Sequence, residues 1–168
     1  DGSQVSFTYT PVGQRQTYSD ARGITQWEYD ARDRLEKRID PDGTEISYSY
    51  DLAGNRTSVT IPAGTTSYTF DALNRPTSVS DPDGAVTHYA YNAVGALTET
   101  QFPNGLVETR QYDSLNRLTN LATLNAQDAI LDSYRYTLDS TGNRTRVEEV
   151  SGRSVNYSYD SLYRLTRA

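Results

Sequence analysis

Tyr50-Asp51-Leu52-Ala53-Gly54-Asn55-Arg56-Thr57 and, twenty residues on, Phe70-Asp71-Ala72-Leu73-Asn74-Arg75-Pro76-Thr77 are two settings of one phrase. It returns as Tyr112-Asp113-Ser114-Leu115-Asn116-Arg117-Leu118-Thr119 and as Tyr159-Asp160-Ser161-Leu162-Tyr163-Arg164-Leu165-Thr166, with weaker copies starting at Tyr9, Tyr29, Tyr91 and Leu138. The eight starts are spaced by 20, 21, 20, 21, 21, 26 and 21 residues, so the repeat fills the chain, and one copy carries an insertion of about five residues near positions 125 to 129. A period of this length marks an array in which each unit is too small to bury its apolar face alone and stacks on its neighbours.

Working outward, each copy holds a second landmark: Asp40-Pro41-Asp42-Gly43, Pro62-Ala63-Gly64, Asp81-Pro82-Asp83-Gly84 and Pro103-Asn104-Gly105, with Arg22-Gly23 and Ser151-Gly152 as worn versions. Both landmarks are turn chemistry, because Pro presets φ, Asp and Asn bond to their own backbone, and Gly accepts positive φ. Two turns in about 21 residues leave two short strands per repeat, one hairpin each. The segments between turns alternate with period two. Ile46, Tyr48 and Tyr50 interleave with Ser47 and Ser49, and Thr66, Tyr68 and Phe70 with Ser67 and Thr69. Val5, Phe7 and Tyr9, Trp27 and Tyr29, and Val155, Tyr157 and Tyr159 follow the same rule. One face is aromatic and β-branched and the other is Ser, Thr and charge. The fold class expected is all-β: about sixteen antiparallel strands in a curled, solenoid- or shell-like strip with its tyrosine face inward, since long open sheets curl or split. Positions 121 to 131, rich in Ala, Gln and Leu without a 3.6 period, are expected to form a loop or one short helical turn.

The composition fits a thin wall better than a thick core. Leu, Ile, Val and Phe supply only 31 of 168 residues, while Tyr alone supplies 14, and the net charge is −6. An aliphatic share this low warns of disorder, but disordered chains are poor in aromatics. With no Cys there is no disulfide framework, thiolate metal site or cysteine nucleophile. No run of about 18 apolar residues predicts a membrane span. The fifteen arginines are interleaved with Asp and Glu, which argues against a nucleic-acid footprint. The opening Asp1-Gly2-Ser3-Gln4 is no signal peptide and suggests a piece of something longer.

The recurrence of Tyr-Asp, then Gly-Asn-Arg or Leu-Asn-Arg, then Leu-Thr, then Asp-Pro-Asp-Gly, resembles the rearrangement-hotspot (RHS) or YD-repeat family along the whole chain. The resemblance implies a long spiralling β-strip that closes into a hollow shell. In bacterial toxin complexes and polymorphic toxins such a shell encloses a C-terminal toxic domain, and teneurins carry a related one. Its signature falls here on Tyr9, Tyr29, Tyr50, Phe70, Tyr91, Tyr112, Leu138 and Tyr159, with Gly54, Arg56, Arg75, Arg117, Gly142, Arg144 and Arg164. The chain departs from the family in having only eight repeats and no C-terminal core segment. Asp40-Pro41-Asp42-Gly43 and Asp81-Pro82-Asp83-Gly84 resemble the family's self-cleavage motif, but Thr44 and Ala85 stand where that motif has Leu. Turn chemistry accounts for both stretches.

No residue stands out for chemistry. His88, the single histidine, is expected on a strand, on the face opposite Tyr89 and Tyr91, with no partner for a metal or a triad. Asp30, Asp51, Asp71, Asp113, Asp139 and Asp160 recur once per repeat, too sparsely for a calcium loop. They are expected to accept backbone N–H bonds in the turns. Arg15, Arg34, Arg56, Arg75, Arg117, Arg144 and Arg164 are expected to pair with them in a charged ladder. No catalytic, metal or cofactor-binding residue and no cofactor is assigned.

The expected function is structural: a shell segment of an RHS-type exported bacterial toxin or effector, a single array over residues 1–168, not an enzyme. The alternative is an extracellular adhesion or carbohydrate-binding module using exposed tyrosines. The expected partners are flanking repeats, an enclosed cargo domain and, through open sheet edges, other copies of the chain, with neither nucleic acid nor a membrane span.

Overall fold

The turn signals recur often enough that no segment between them exceeds nine residues, and a computed structural model, describing residues 4–168, turns these segments into strands with no helix among the described residues. The chain divides into two units, Asp1–Ala85 and Val86–Ala168.

The first unit contains β1 (Ser6–Tyr9), β2 (Arg15–Asp20), β3 (Gly23–Tyr29), β4 (Leu35–Ile39), β5 (Glu45–Tyr50), β6 (Arg56–Ile61), β7 (Gly64–Phe70) and β8 (Pro76–Ser80). Each pairs antiparallel with the next in chain order. The second contains β9 (Val86–Tyr91), β10 (Leu97–Gln101), β11 (Val107–Tyr112), β12 (Leu118–Leu124), β13 (Ile130–Leu138), β14 (Arg144–Glu149) and β15 (Ser154–Asn156), again paired in chain order. A separate hairpin, β16 (Ser158–Tyr159) and β17 (Leu165–Arg167), follows. The last incoming strand is thus split at Tyr157, whose N–H still reaches the Thr145 carbonyl at 2.9 Å, and this split makes seventeen strands of the sixteen expected.

Positions 121 to 131 contain no helix and are loop only at 125–129. Residues 121–124 belong to β12 and residues 130–131 to β13, with a turn between them in which Asp128 takes φ 59. The insertion lengthens an existing hairpin to strands of 7 and 9 residues. Ala and Gln favour helices intrinsically, but cross-strand partners on both sides override that preference.

The alternation is visible in burial. Along β7, Gly64, Thr66, Tyr68 and Phe70 are half-buried and Thr65, Ser67 and Thr69 exposed. The aromatic face carries contacts such as Phe7 on Tyr18, 5.2 Å between centroids and tilted by 45°. The other face carries hydroxyl pairs, Thr8 with Thr17 at 2.7 Å and Thr60 with Thr65 at 2.9 Å. Among the described residues only Thr25, Thr100 and Ala122 are buried, and no large side chain is fully so. The sheet is the core, and half-burial of tyrosine rings takes the place of an aliphatic interior.

Candidate functional site

Every Tyr-Asp position opens one kind of turn. In the first unit the N–H groups of Asp30, Asp51 and Asp71 donate to carbonyls four residues on, at 2.9–3.0 Å. The N–H groups of Asp33, Gly54 and Asn74 donate back to those aspartates' carbonyls at 2.9, 3.2 and 3.0 Å. The fourth residue is left-handed in each, at φ 60, 98 and 61. This is a type I turn closed by a left-handed bulge residue, a usual three-residue hairpin loop. The bulge appears as a register shift at Tyr29, Tyr50 and Phe70. The second unit repeats it at Asp113, Asp139 and Asp160, with Asn116, Gly142 and Tyr163 in the left-handed position.

The aspartate side chain locks the turn, in two versions. In the first, Asp71 Oδ1 accepts the N–H groups of Leu73 at 2.8 Å and Arg75 at 3.0 Å, while Oδ2 accepts Arg75 Nε at 2.7 Å. Asp30–Arg34, Asp113–Arg117 and Asp160–Arg164 repeat it. In the second, Asn replaces Arg: Asp51 accepts Asn55 N–H at 2.8 Å and Asn55 Nδ2 at 2.9 Å, and Asp139 does the same with Asn143. These donors hold the carboxyls below their ordinary range. For Asp139 the Asn143 side chain is the leading cause and the value falls to about 2. For Asp30 it is the Arg34 side chain, for Asp51 the Asn55 side chain, and for Asp71, Asp113 and Asp160 the backbone N–H of the arginine four residues on. The turns also hold each other. Arg34 Nη1 donates to the Asp51 carbonyl at 3.1 Å, Arg32 Nη1 to Leu52 O at 2.7 Å, and Arg117 Nη1 to Asp139 O at 2.9 Å.

The expected arginine ladder therefore holds for Arg34, Arg75, Arg117 and Arg164 and fails for Arg15, Arg56 and Arg144. These three stand one residue later, at the first position of the outgoing strand, on the aromatic face. Arg56 lies 5.7 Å from the Tyr48 ring and 6.0 Å from Tyr68. Arg15 lies 5.4 Å from Phe7 and 5.3 Å from Trp27, and Arg144 lies 4.3 Å from Tyr136. Each such contact contributes about 0.5–1 kcal/mol at exposed sites. The same strand-start position gives the Tyr of the next repeat its partner. Tyr29 OH donates to Arg15 O at 2.8 Å, Tyr50 OH to Leu35 O at 2.8 Å, Tyr112 OH to Leu97 O at 2.7 Å and Tyr159 OH to Arg144 O at 2.9 Å. The hydroxyl ties each hairpin to the one before it. Phe70 and Leu138 occupy the same position without a hydroxyl.

The second landmark resolves into two turn types. Asp40, Asp81 and Phe102 open the same bulged turn as the Tyr-Asp positions. Asp81 Oδ1 accepts the N–H groups of Asp83 at 3.0 Å and Ala85 at 2.9 Å, and Arg38 Nη2 donates to Asp40 at 2.6 Å. Gly23 and Gly64 instead close two-residue turns, facing Asp20 and Ile61 directly across the hairpin. Asp20 there binds the Arg22 side chain, which lowers its carboxyl to about 2.

Sequence reasoning missed an ion pair on the aromatic face. Glu108 and Arg110 pair on β11, at the positions that Ile46 and Tyr48 take on the equivalent strand β5, and Arg110 Nη1 donates to buried Thr100 at 3.1 Å. No repeat signal marks this exchange. His88 is exposed on β9, opposite Gln101. Among the described residues no three His, Cys, Asp or Glu side chains gather to hold a metal. Tyr9 and Tyr163, at 58% and 60%, are the exposed tyrosines among the described residues.

The RHS Repeat family model matches at residues 9–45, 29–66, 50–87 and 70–107. Three solved structures share the fold: TcdB2-TccC3 (TM-score 0.75, 16% identity, 96% of this chain), TcdB2-TccC3 without its hypervariable C-terminal region (0.73, 19%, 98%) and TcdB2-TccC3-Cdc42 (0.71, 19%, 95%). The chain spans 10% of the length of each. No curated protein matches it.

Proposed function

The chain belongs to the RHS repeat family, and we propose that it is a wall segment of an RHS-type β-shell in a larger exported bacterial toxin or effector, enclosing a C-terminal toxic domain until delivery. The observation that carries this reading is where the polar chemistry goes. The Tyr-Asp carboxylates accept N–H groups of their own turns, and four Tyr-Asp hydroxyls bond to the backbone of the preceding hairpin. These groups are engaged in holding a wall together. Paired backbone makes the barrier. In this reading the strip curls with its aromatic face inward and presents half-buried rings and arginines to the cargo. The self-cleavage reading is weaker, since the Asp-Pro-Asp-Gly aspartates are engaged in turn hydrogen bonds.

The carbohydrate-binding alternative needs free ring faces. Tyr48, Tyr50, Tyr68 and Tyr136 are half-buried, each with an arginine over its ring, which favours the wall. Limited proteolysis of the parent protein tests the proposal. The region C-terminal to the repeats stays uncut in native protein and is cut rapidly once urea opens the strip. Equal cutting before and after urea would contradict containment.

A further inference from the structure

The first unit sorts its strand charges by face. Among the described residues, besides the closed pairs Asp20–Arg22 and Arg38–Asp40, its strands place only Arg15 and Arg56 on the aromatic face. The opposite face carries Glu28 and Glu45 with Lys37, and exposed Glu36 stands at the bulge beside Lys37. Asp30, Asp51, Asp71 and Asp81 accept N–H groups of their own turns, and Asp33, Asp42 and Asp83 are exposed in the turns, at the ends of the strands. The strand charges thus leave the aromatic face positive in a chain whose net charge is −6.

Both arginines are held in the same way. Arg15 on β2 is flanked by Phe7 of β1 and Trp27 of β3, and Arg56 on β6 by Tyr48 of β5 and Tyr68 of β7. Neither makes an ion pair or a side-chain hydrogen bond among the described residues, and both are exposed. Rings on two sides fix the guanidinium and leave its N–H donors unused. A fixed planar fork of donors matches a carboxylate. The strand-start position carries Arg15, Leu35, Arg56 and Pro76 in turn, so the two forks stand four strands, about 19 Å, apart. Extended polypeptide covers that span in about six residues, an even number that returns a side chain to the same side.

We propose that the aromatic face of the first unit is a docking surface for an acidic, extended polypeptide segment, with Arg15 and Arg56 each taking one carboxylate. Charge complementarity chooses the occupant. That the segment belongs to the enclosed cargo rests on the shell reading; the carboxylate contact itself does not. In a closed shell bulk water is withdrawn from this face, and a guanidinium with unmet donors then requires an acceptor. The face supplies none of its own, since Asp20 and Asp40 are held by Arg22 and Arg38. On the open face of the isolated chain the same forks remain hydrated, so the contact there is weak and sensitive to salt.

NMR titration of the full chain suits a weak contact. The probe is a dodecapeptide of Ser and Gly with Glu at its third and ninth positions, and its control has Gln at both. The Nε–H signals of Arg15 and Arg56 should shift with the Glu peptide and saturate at a concentration about tenfold below that of the control, the difference vanishing in high salt. Arg15→Leu and Arg56→Leu should each weaken the Glu peptide about fivefold. Arg135→Leu, which removes an exposed and unpaired arginine from the opposite face of β13, should leave it unchanged. Glu and Gln peptides that titrate alike on the unsubstituted chain overturn the proposal, whatever the variants do. So does an equal loss in Arg135→Leu, which would reduce the effect to general attraction. Oligothymidylate binding tighter than the Glu peptide and lost in the same two variants would give the forks to a nucleic acid and overturn it too. These outcomes belong to the isolated chain and leave containment in the parent to the proteolysis.

Discussion

The turn at Asp71 and the turn at Asp51 close equivalent hairpins with different residues. At Asp71 the left-handed residue is Asn74 and the fourth residue after the aspartate is Arg75, whose guanidinium stays in the turn. At Asp51 the left-handed residue is Gly54, Asn55 takes over the aspartate, and the arginine arrives one residue later. A one-residue step in a strand reverses the face. Arg75 therefore braces its turn, as Arg34 does while also reaching the Tyr50 ring, whereas Arg56 leaves its turn aspartate to Asn55 and lies among the tyrosine rings. One phrase in sequence becomes two devices in space, and the wall uses both.

Acid should break both versions at once and have the largest effect. The folded carboxyls lie below their ordinary 3.8, at about 2 for Asp20 and Asp139. Their stabilisation is complete above the unfolded value and is lost as pH falls through the folded ones. Trp27 fluorescence and far-UV circular dichroism should hold steady down to about pH 4 and report loosening between there and about pH 2. A signal flat over that window would contradict the carboxylate lock.

Glycine substitution sharpens the comparison next. A Cβ at Gly54 meets nothing within 4 Å, whereas at Gly64, with φ +134, it would stand 2.5 Å from Pro82 Cβ. Gly64→Ala should destabilise the first unit by about 3 kcal/mol, and Gly54→Ala by about 1 kcal/mol. Urea denaturation followed by Trp27 would rank them, and equal losses would mean that the close approach of the two turns is not maintained. Asp71→Ala, which removes the acceptor of two turn N–H groups and the Arg75 ion pair, should lower the urea midpoint more than Arg75→Ala. Arg75→Ala should cost no more than about 1 kcal/mol because the ion pair is partly exposed. The reverse order in the same urea experiment would assign the turn to the ion pair. Smallest is Arg56→Leu, which copies the residue standing at Leu35. It should lose about 0.5–1 kcal/mol of ring contact and leave the Asp51 turn intact, read as unchanged hydrogen exchange at Asn55.

The spacing of Tyr-Asp pairs, the two turns per repeat and the period-two alternation of Ile46 to Tyr50 were enough to read a hairpin array, because turn chemistry and strand alternation are local. What escaped was non-local. The acceptor of Tyr50 lies fifteen positions upstream at Leu35, and no pattern within one repeat points to it. Arg56 and Arg75 align as letters of a motif, and only the bulge count separates them. Residues 121–131 read as a break because helix-forming residues filled a lengthened hairpin whose partners lie on either side. The charge pair Glu108–Arg110 stands where β5 carries Ile46 and Tyr48, and a single copy gives no periodic signal.

In the proposed shell one face of this wall looks into an enclosed space. Single cysteines placed at Val59, paired with Tyr48 on the aromatic face, and at Thr69, on the hydroxyl face, test it in the parent protein freed of other accessible thiols. Labelling with a bulky maleimide should be fast at Thr69→Cys and blocked at Val59→Cys until urea opens the strip. Equal labelling of both positions in the native parent would contradict the enclosure.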